Sequence, residues 1–522
     1  MPVRRSFGWS AAAGLLCVAL SACGSTVAVR GGQVSEFGAL GTNGRADLVP
    51  SGDAAQGISG VASAQPGSPG HSAGSTTVPA GSGGGVAPTT GANNGAGGPQ
   101  AGGTTGLGSP GGRGTDAQSA AFSPKTFKIG MQYTTNGGAA VAATSGGSFK
   151  GDGRDAYDAV LGWINKNGGI AGRPAVASYN NIDSTASPSS QSEAACAQWT
   201  QDDHVALAIP TSAVTDMDLI RQCLKQAKVP ALMGYVASRT LKSSFAASPL
   251  WFENGSLALE DYAQTYVQGL AQQGFFKGGK VGVVYYDKAP FTTALNSALL
   301  PALSAAGVSN PEKFGASIDG ASTLGSGSQE MSSAVLSFRS KGVDRVLFFE
   351  PWIGYFAFLN SAKSQDYHPI YGLSSQEGPQ LAADLGFAPA DQLVGARIVT
   401  WNPMTDIKGY QPYTGPRVTL CNQILAGAGV SKASDQTGYW GQLLACENLL
   451  LVQDAYKNGP RQLAPEDFAR GMTGLGSGLQ PATRMNGSIG STKHWATSKY
   501  WVGHFDSSKA TFVLDGPAKD VQ

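Results

Sequence analysis

The cysteines are the residues of this chain whose spacing most clearly predicts a chemical role. The sequence holds six, and four of them form two local groups, Cys196 with Cys223 and Cys421 with Cys446. Each group closes a loop of about 25 residues, and in an oxidising compartment such an even set predicts two disulfides with these pairings. A zinc site is the weaker interpretation, because no pair has CxxC spacing and no histidine is near any of the four. We predict no metal site.

Two segments have the spacing of a phosphate-binding or a catalytic motif, but neither has the flanking secondary structure that the motif requires. The segment 274–280 has the spacing of a phosphate-binding loop, but Val281 stands where that loop has Ser or Thr, and the segment precedes a strand. Gly325-Ser-Gly327 belongs to a Ser/Gly-rich loop and is not a nucleophile elbow. We therefore predict a protein that is not an enzyme, with no catalytic residue and no cofactor. The net charge of +1 and the lack of a basic stripe give no support for nucleic-acid binding.

The N-terminal residues predict export and attachment to a membrane. Arg4 and Arg5 precede an apolar run from Phe7 to Leu20, and small residues follow, which is the order of a secretory signal. Leu20-Ser-Ala-Cys23 resembles the lipobox of bacterial lipoproteins, and this resemblance implies that the Cys23 thiol is diacylated. An ordinary signal peptide with a chance cysteine is the alternative. A membrane span is disfavoured, because the apolar run has about 14 residues and a span needs about 20.

A long segment of low complexity separates this signal from the rest of the chain. Residues 24–123 are nearly all Gly, Ser, Ala, Thr, Pro and Asn, without an apolar period. Such a composition buries too little apolar surface to offset the entropy of ordering, so we predict a disordered tether. Its root-mean-square reach is roughly 50–60 Å by the random-coil rule.

The remainder, residues 124–522, is too long for one ordinary core and predicts two lobes. In the first lobe, strand-like and helical apolar periods alternate, which is the pattern of a parallel sheet with helices on both faces. The predicted strands are 127–133, 175–179, 205–209 and 231–233, and the predicted helices are 151–167, 187–199 and 216–227.

The same alternation then begins again. The predicted strands of the second lobe are 280–286, 345–349, 370–371 and 394–400, with tail strands near 499–505 and 511–513. The predicted helices are 257–273, 292–306, 330–340, 355–364, 415–428 and 437–458. We predict an α/β fold of two Rossmann-like lobes joined by hinge crossovers.

Several segments resemble the type I periplasmic binding proteins of ABC importers, and the branched-chain amino acid receptor group in particular. Ile164-Asn-Lys-Asn-Gly-Gly-Ile-Ala-Gly-Arg-Pro174 is similar to the turn that closes the first helix of that family. Four further segments resemble segments of that family and follow one another in the same order: the opening strand Phe127–Gly130, Asn181-Ile-Asp183, Val229-Pro230 and Leu393-Val-Gly-Ala396. The resemblance implies a two-lobed solute receptor of the periplasmic-binding-protein-like I fold.

Binding residues are expected in the loops that follow strands, because ligands of open α/β sheets bind beyond the carboxyl ends of the strands. The resemblance implies that Ser212 and Ala213 hold a solute carboxylate and that Ser238 adds a hydroxyl. It also implies that Glu377 stands within one or two places of the carboxylate that binds an ammonium group in amino-acid receptors. The aromatic residues expected to flank the solute are Phe149, Tyr235, Phe291 and Trp352. The other candidates in these loops are Tyr133, Asp287 and Gln376.

Each candidate also has a structural interpretation. Ser212 could cap the helix that begins near Asp216. Trp352 could fill a lobe interface, while Tyr235 and Phe291 could be core or loop anchors. Asp287 could pair with Lys288 or cap a helix, and Glu377 could simply be solvated.

The prediction from sequence is a lipid-anchored, extracytoplasmic solute-binding protein that captures a small polar solute, such as an amino acid or amide, for ABC permease subunits. It is expected to act as a monomer. A ligand-sensing receptor ectodomain of the same fold is the alternative. The predicted boundaries are 1–23 for the signal peptide and lipobox, about 124–250 with 402–475 for lobe one, and about 251–401 with 476–522 for lobe two.

Overall fold

The structure is a computed structural model, and it describes residues 125–134, 154–183, 186–210, 215–234, 237–318, 324–350, 353–411, 414–457, 463–479, 482–483 and 487–521. All described residues belong to one compact unit. The predicted signal peptide, lipobox and tether lie outside them. Among the described residues, no helix is both long and apolar enough to cross a membrane.

The first lobe is built on a parallel sheet. Its strands are β1 (Phe127–Thr134), β2 (Ala175–Ile182), β3 (Leu207–Ile209), β4 (Ala231–Met233) and β5 (Trp251–Glu253). They lie side by side in the order β2–β1–β3–β4–β5, and all pairs are parallel. Every residue of β3, β4 and β5 is buried, as expected when helices cover both faces of a sheet.

Local sequence sets the bounds of the helices that cover this sheet. They are α1 (Arg154–Lys166), α2 (Pro188–Ala197), α3 (Met217–Gln226) and α4 (Lys242–Ala247). Helix α1 is followed by Gly168 and Gly169 with φ of 93° and 70°. A methyl group at Gly169 would lie 2.0 Å from the Arg173 carbonyl oxygen, so this turn requires glycine. Asp216 caps α3 by accepting a hydrogen bond from the Leu219 amide at 3.0 Å. The N-cap of this helix is thus Asp216, and Ser212, which the sequence offered as a cap, lies outside the described residues.

The second lobe holds a larger, mixed sheet. Its strands are β6 (Val281–Tyr286), β7 (Glu312–Ala316), β8 (Arg345–Phe349), β9 (Ile370–Ser374), β10 (Arg397–Thr400), β11 (Lys499–Asp506), β12 (Thr511–Leu514) and β13 (Lys519–Asp520). The order is β12–β11–β10–β9–β8–β6–β7, with β13 beside β11. The strands from β6 to β10 pair in parallel, whereas β11, β12 and β13 pair antiparallel. Two α/β lobes with parallel sheets confirm the predicted fold class.

Helices pack on this second sheet, and a late group of helices returns to the first lobe. The former are α5 (Leu259–Gln272), α6 (Phe291–Ala294), α7 (Leu300–Ala305), α8 (Leu324–Ser340), α9 (Ile353–Ser364), α10 (Pro379–Asp384) and α11 (Pro403–Asp406). The latter are α12 (Pro416–Gly427), α13 (Gln436–Lys457) and α14 (Pro465–Leu475), whose apolar residues share a core with β1 and α1. The chain thus passes between the sheets after β5, after β10 and before β11.

Two disulfides connect neighbouring helices of the first lobe. Cys196 of α2 is bonded to Cys223 of α3, and Cys421 of α12 is bonded to Cys446 of α13. Their Cα atoms are 6.2 Å and 5.8 Å apart, inside the usual range for disulfides. Both predicted pairings are confirmed.

Candidate functional site

Three buried acidic residues lie beyond the carboxyl ends of adjacent strands of the second sheet. Glu350 directly follows β8, Glu377 follows β9, and Asp406 lies in α11 after β10. Their exposed fractions are 0%, 1% and 0%. We call these three residues the acid cluster. Because parallel strands end at one edge of a sheet, residues far apart in sequence meet where such folds bind ligands.

Glu377 is held by hydroxyl and amide donors. The Ser374 amide and hydroxyl donate to its Oε2 at 2.6 and 2.8 Å, and the Tyr262 hydroxyl is 3.4 Å from its Oε1. The pKa of Glu377 is raised to about 8, mainly by burial and to a smaller extent by Asp406, while the Ser374 hydrogen bonds oppose the rise. The alternative of a solvated Glu377 is therefore wrong.

Glu350 is buried without such support. Among the described residues no side chain donates a hydrogen bond to its carboxyl oxygens, and the donor that faces them is the Tyr355 backbone amide at the start of α9. Burial raises the pKa of Glu350 well above its usual range, Glu377 raises it further, and the nearby Tyr355 amide opposes the rise. A methyl group at Gly354 would lie 1.9 Å from Glu350 Oε2, so the glycine lets this carboxyl group lie against the start of α9.

Asp406 is the best satisfied member of the acid cluster. The Ser375 and Thr400 hydroxyls donate to its Oδ2 at 2.5 and 2.7 Å, and the Thr405 hydroxyl donates to its Oδ1 at 3.0 Å. Burial raises the pKa of Asp406 to about 6, although these hydrogen bonds oppose the rise. Because Ser375 follows β9 and Thr400 ends β10, Asp406 joins two strand ends of the second lobe.

Two of the predicted site residues meet although they belong to different lobes. The Ser238 amide donates to Gln376 Oε1 at 2.7 Å, and Gln376 Nε2 donates to the Ser238 carbonyl at 3.3 Å. Ser238 follows β4 of the first sheet, and Gln376 follows β9 of the second. The Ser238 hydroxyl accepts a hydrogen bond from the Leu257 amide at 3.1 Å, so this loop is also tied to the crossover after β5.

Other predicted site residues have their described contacts elsewhere. The Tyr133 ring lies 5.7 Å from the Tyr179 ring and 4.5 Å from the Arg154 guanidinium. Phe291 is buried, with its ring 5.6 Å from the rings of both Tyr286 and Phe349, which makes it a core residue. A role for Tyr133 or Phe291 in binding a solute stays a prediction.

Asp287 is exposed at the end of β6, and the neighbouring Lys288 ammonium lies 5.4 Å from the Tyr286 ring. The remaining predicted binding residues and the predicted anchor fall outside the described residues: Phe149, Ser212, Ala213, Tyr235, Trp352 and Cys23.

Sequence reasoning missed Glu350, Asp406, Tyr262 and Tyr355. A signal was present for Glu350, because it directly follows the apolar strand 345–349, and the rule that selected Trp352 applies equally to it. No such signal marks Tyr262 or Tyr355, since their positions on helices predict only buried aromatic residues.

A cavity of about 370 Å³ lies elsewhere, between α1, α12 and α13 of the first lobe. Its wall includes Trp163, Leu450 and the ion pair of Arg417 with Asp454. Trp163 lies near the end of α1, and that helix leads to the start of β2. The cavity is therefore near the amino end of β2 in the first lobe, whereas the acid cluster lies beyond the carboxyl ends of strands of the second lobe.

Comparisons with known proteins agree with this architecture. The chain matches the family model described as "Periplasmic binding protein" over residues 126–509. No match was found among curated proteins.

Solved structures share the fold at low sequence identity. A solute binding protein of an ABC transporter from Rhodopseudomonas palustris HaA2, in complex with p-hydroxybenzoic acid, is 14% identical with a TM-score of 0.54, covering 76% of this chain and 98% of that chain. A branched chain amino acid ABC transporter from Thermus thermophilus with bound valine is 13% identical with a TM-score of 0.53, covering 76% and 96%. A fatty acid ABC transporter substrate-binding protein from Thermomonospora curvata is 17% identical with a TM-score of 0.52, covering 76% and 92%.

Proposed function

Because the chain belongs to the periplasmic binding protein family, whose model matches residues 126–509, we propose that it captures a small polar solute between its two lobes for an ABC importer. The solute is an amino acid, an amide or a related compound. Closure of the lobes buries the solute and presents a surface that the permease subunits bind.

The contact of Ser238 with Gln376 is the observation that carries this proposal. Two loops beyond strand ends, one from each lobe, exchange a pair of hydrogen bonds at 2.7 and 3.3 Å. Both residues are buried, with exposed fractions of 0% and 3%. A contact of this kind can form only when the two strand-end edges approach each other, which is the movement that a two-lobed receptor uses.

The chemistry beyond the strand ends supports a polar solute. Hydroxyl groups and carboxyl groups surround the second-lobe side, where Glu377 and Asp406 lie. On the first-lobe side, we propose that Ser212 and Ala213 bind a carboxylate or carbonyl oxygen of the solute. Structures of relatives hold valine and p-hydroxybenzoic acid, both of which carry a carboxylate.

We further propose that the protein works outside the cytoplasm, attached to a membrane through a diacylated Cys23 and the tether at 24–123. The Gly/Ser-rich composition of the tether is that of a flexible linker, which would let the two-lobed domain work at a distance from the bilayer. The two disulfides support an oxidising compartment, because such bonds are rare in reducing ones.

A thermal-shift screen tests the proposed function directly. The panel contains amino acids, small amides, urea, polyamines, aromatic acids and sugars, added to the full mature chain. A solute that binds only the folded protein stabilises it by about 2.7 kcal/mol at a concentration of 100 Kd. If no compound raises the melting temperature, the proposed function is contradicted.

The variant Gln376→Ala then tests the site by isothermal titration with the solute found. We expect weaker binding, by about 1–3 kcal/mol, because the Ser238 amide and carbonyl lose their partner in the closed form. Gln411→Ala is the matched control, since Gln411 is exposed and its hydrogen bond among the described residues stays within its own loop, to the Gly409 carbonyl. Equal affinities for the two variants would place the cleft elsewhere.

A further inference from the structure

The cavity of the first lobe is a candidate for a second binding site, because the described residues that line it all belong to that lobe. Its volume of about 370 Å³ is within the range of about 300–1,000 Å³ that is typical of small-molecule sites. Helices α1, α12 and α13 and the segment 475–479 surround it. None of the described lining residues belongs to the acid cluster or to the loops of Ser238 and Gln376.

Two links join α12 and α13, the helices that form two walls of the cavity. The disulfide between these helices is one link, and the ion pair of Arg417 with Asp454 is the other. Leu420 on α12 and Leu450 on α13 line the cavity, and each lies between the two links in its helix. Because the links fix the spacing of the helices, the cavity is formed before any ligand binds, which lowers the cost of ordering on binding.

Apolar side chains form the larger part of the lining. Leu450, Leu451 and Leu479 are buried, with exposed fractions of 1%, 2% and 3%. Trp163 and Leu420 pack on the same core but are only partly buried. Contact with the apolar part of a ligand would remove the uncovered surface of these side chains from water, which favours binding.

The polar side of the cavity carries one positive charge in excess. Arg417 Nη2 donates to Asp454 Oδ2, and Lys457 Nζ lies 3.7 Å from Asp454 Oδ1 and 3.0 Å from Gln453 Oε1. One carboxylate is thus shared by two cations. Gln453 is 1% exposed and donates to the Gly169 carbonyl at 3.1 Å, which fixes its amide group. Among the described residues the guanidinium of Arg417 donates to Asp454 alone, and its five N–H groups allow it to bind a second anion.

We propose that this cavity binds a small monocarboxylate with an apolar body, as a second site that is separate from the cleft between the lobes. The apolar body packs on Leu450, Leu451 and Trp163, and the carboxylate accepts hydrogen bonds from Arg417 and Lys457. A single carboxylate balances the excess charge of the lining, whereas an ammonium group would meet only an acid that two cations already share. The inference goes beyond the proposed function, since the site belongs to one lobe and needs no closure.

Isothermal titration of the full mature chain tests this proposal with defined probes. Octanoate and 4-phenylbutyrate are the anionic probes, octanamide is the neutral analogue, and octylamine is the cationic one. We expect octanoate to bind about two- to fivefold more tightly than octanamide, which is the range for a partly exposed ion pair, and octylamine to bind most weakly. The affinity for octanoate should fall as the salt concentration rises, because salt screens exposed charges.

The variant Lys457→Met tests the charged side of the cavity, because it keeps an apolar stem and removes the ammonium group. We expect the affinity for octanoate to fall about two- to fivefold. Lys225→Met is the matched control, since both lysines are exposed and lie in the last turn of a helix of the first lobe. The control should bind octanoate like the wild type.

The variant Leu420→Glu tests the apolar side, because it places a negative charge on the wall that the apolar body contacts. We expect the affinity for octanoate to fall about tenfold or more, since like charges then face each other. Thr419→Glu is the matched control, because Thr419 is an exposed residue of the same helix and does not line the cavity. Melting temperatures show whether each variant folds.

The outcomes separate this site from the cleft. If folded Leu420→Glu binds octanoate like the wild type, the inference is wrong, and a loss of affinity in Gln376→Ala would then place the probe in the cleft. If Leu420→Glu does not fold, an unchanged affinity in Lys457→Met contradicts the inference. Equal affinities for octanoate and octanamide, or no binding of either anionic probe, contradict it as well. The proposed function is tested separately by the solute screen, so either proposal can fail without the other.

Discussion

Replacing Glu447 by alanine should destabilise the whole two-lobed domain, because this residue ties together segments that connect the sheets. Glu447 lies on α13 and is 0% exposed. Its Oε1 accepts a hydrogen bond from Asn254 Nδ2 at 2.7 Å, in the crossover after β5. Its Oε2 accepts hydrogen bonds from the amide and hydroxyl of Thr483 at 2.8 and 2.7 Å, in the segment that leads to β11.

The magnitude follows from what the substitution leaves behind. Hydrogen bonds to a charged acceptor are worth about 1.5–3 kcal/mol each, but bonds that share one carboxylate are not additive. The substitution takes this acceptor away from three buried neutral donors, one on Asn254 and two on Thr483, and each donor left unsatisfied costs about 1–3 kcal/mol, so we adopt about 3–5 kcal/mol for the three together. For a domain of about 400 residues, an unfolding entropy of about 2.1 cal/mol/K per residue gives about 0.8 kcal/mol/K. The melting temperature should therefore fall by about 4–6 °C.

Differential scanning calorimetry of the unliganded protein measures this change. Glu193→Ala is the matched control, because Glu193 is an exposed helical residue of the same lobe, and we expect it to shift the melting temperature by less than about 1 °C. If Glu447→Ala has the same melting temperature as the wild type, the hydrogen bonds of Glu447 do not stabilise the crossover segments and the reasoning is refuted.

The double change Cys421→Ser with Cys446→Ser should cost about 3 kcal/mol of unfolding free energy, measured by denaturant unfolding; an unchanged midpoint would contradict a stabilising bridge. Unliganded protein should melt at a higher temperature at pH 6 than at pH 8, because the folded-state pKa of Glu377, about 8, lies above its ordinary value of 4.5 and the folded form binds more protons in that window. In Glu377→Gln this pH dependence should be smaller. If the melting temperature of the variant changes with pH as much as that of the wild type, other groups cause the dependence. Cys23→Ala should move the protein from the membrane to the soluble fraction and abolish labelling by fatty acid; retention of the variant on membranes would exclude the lipobox interpretation.

Strong local signals were enough to predict most of the fold. The apolar strands at 281–286 and 345–349, the glycine turn after α1 and helices α12 and α13 all lie within a few residues of their predicted bounds, whereas α14 was not predicted. The disulfides were predictable because each pairs cysteines of neighbouring helices across a short loop. Strands β5 and β7 were not predicted. Strand β5 has only three residues, and β7 is an edge strand with the polar residues Glu312 and Lys313, so neither has a distinctive apolar period.

The family was likewise predictable from local sequence, because the turn at 164–174 and the order of strands and helices resemble it. The same order indicated that binding residues lie at the carboxyl ends of the strands. Which residues face one another at that edge was decided only by the tertiary structure. Glu350, Glu377 and Asp406 are separated by many residues, and β8, β9 and β10 bring them together because these strands are parallel neighbours. Tyr355 joins them from a helix. Burial then determines their chemistry, since a carboxyl group is ionised in water but must find a proton or a cation once it is enclosed.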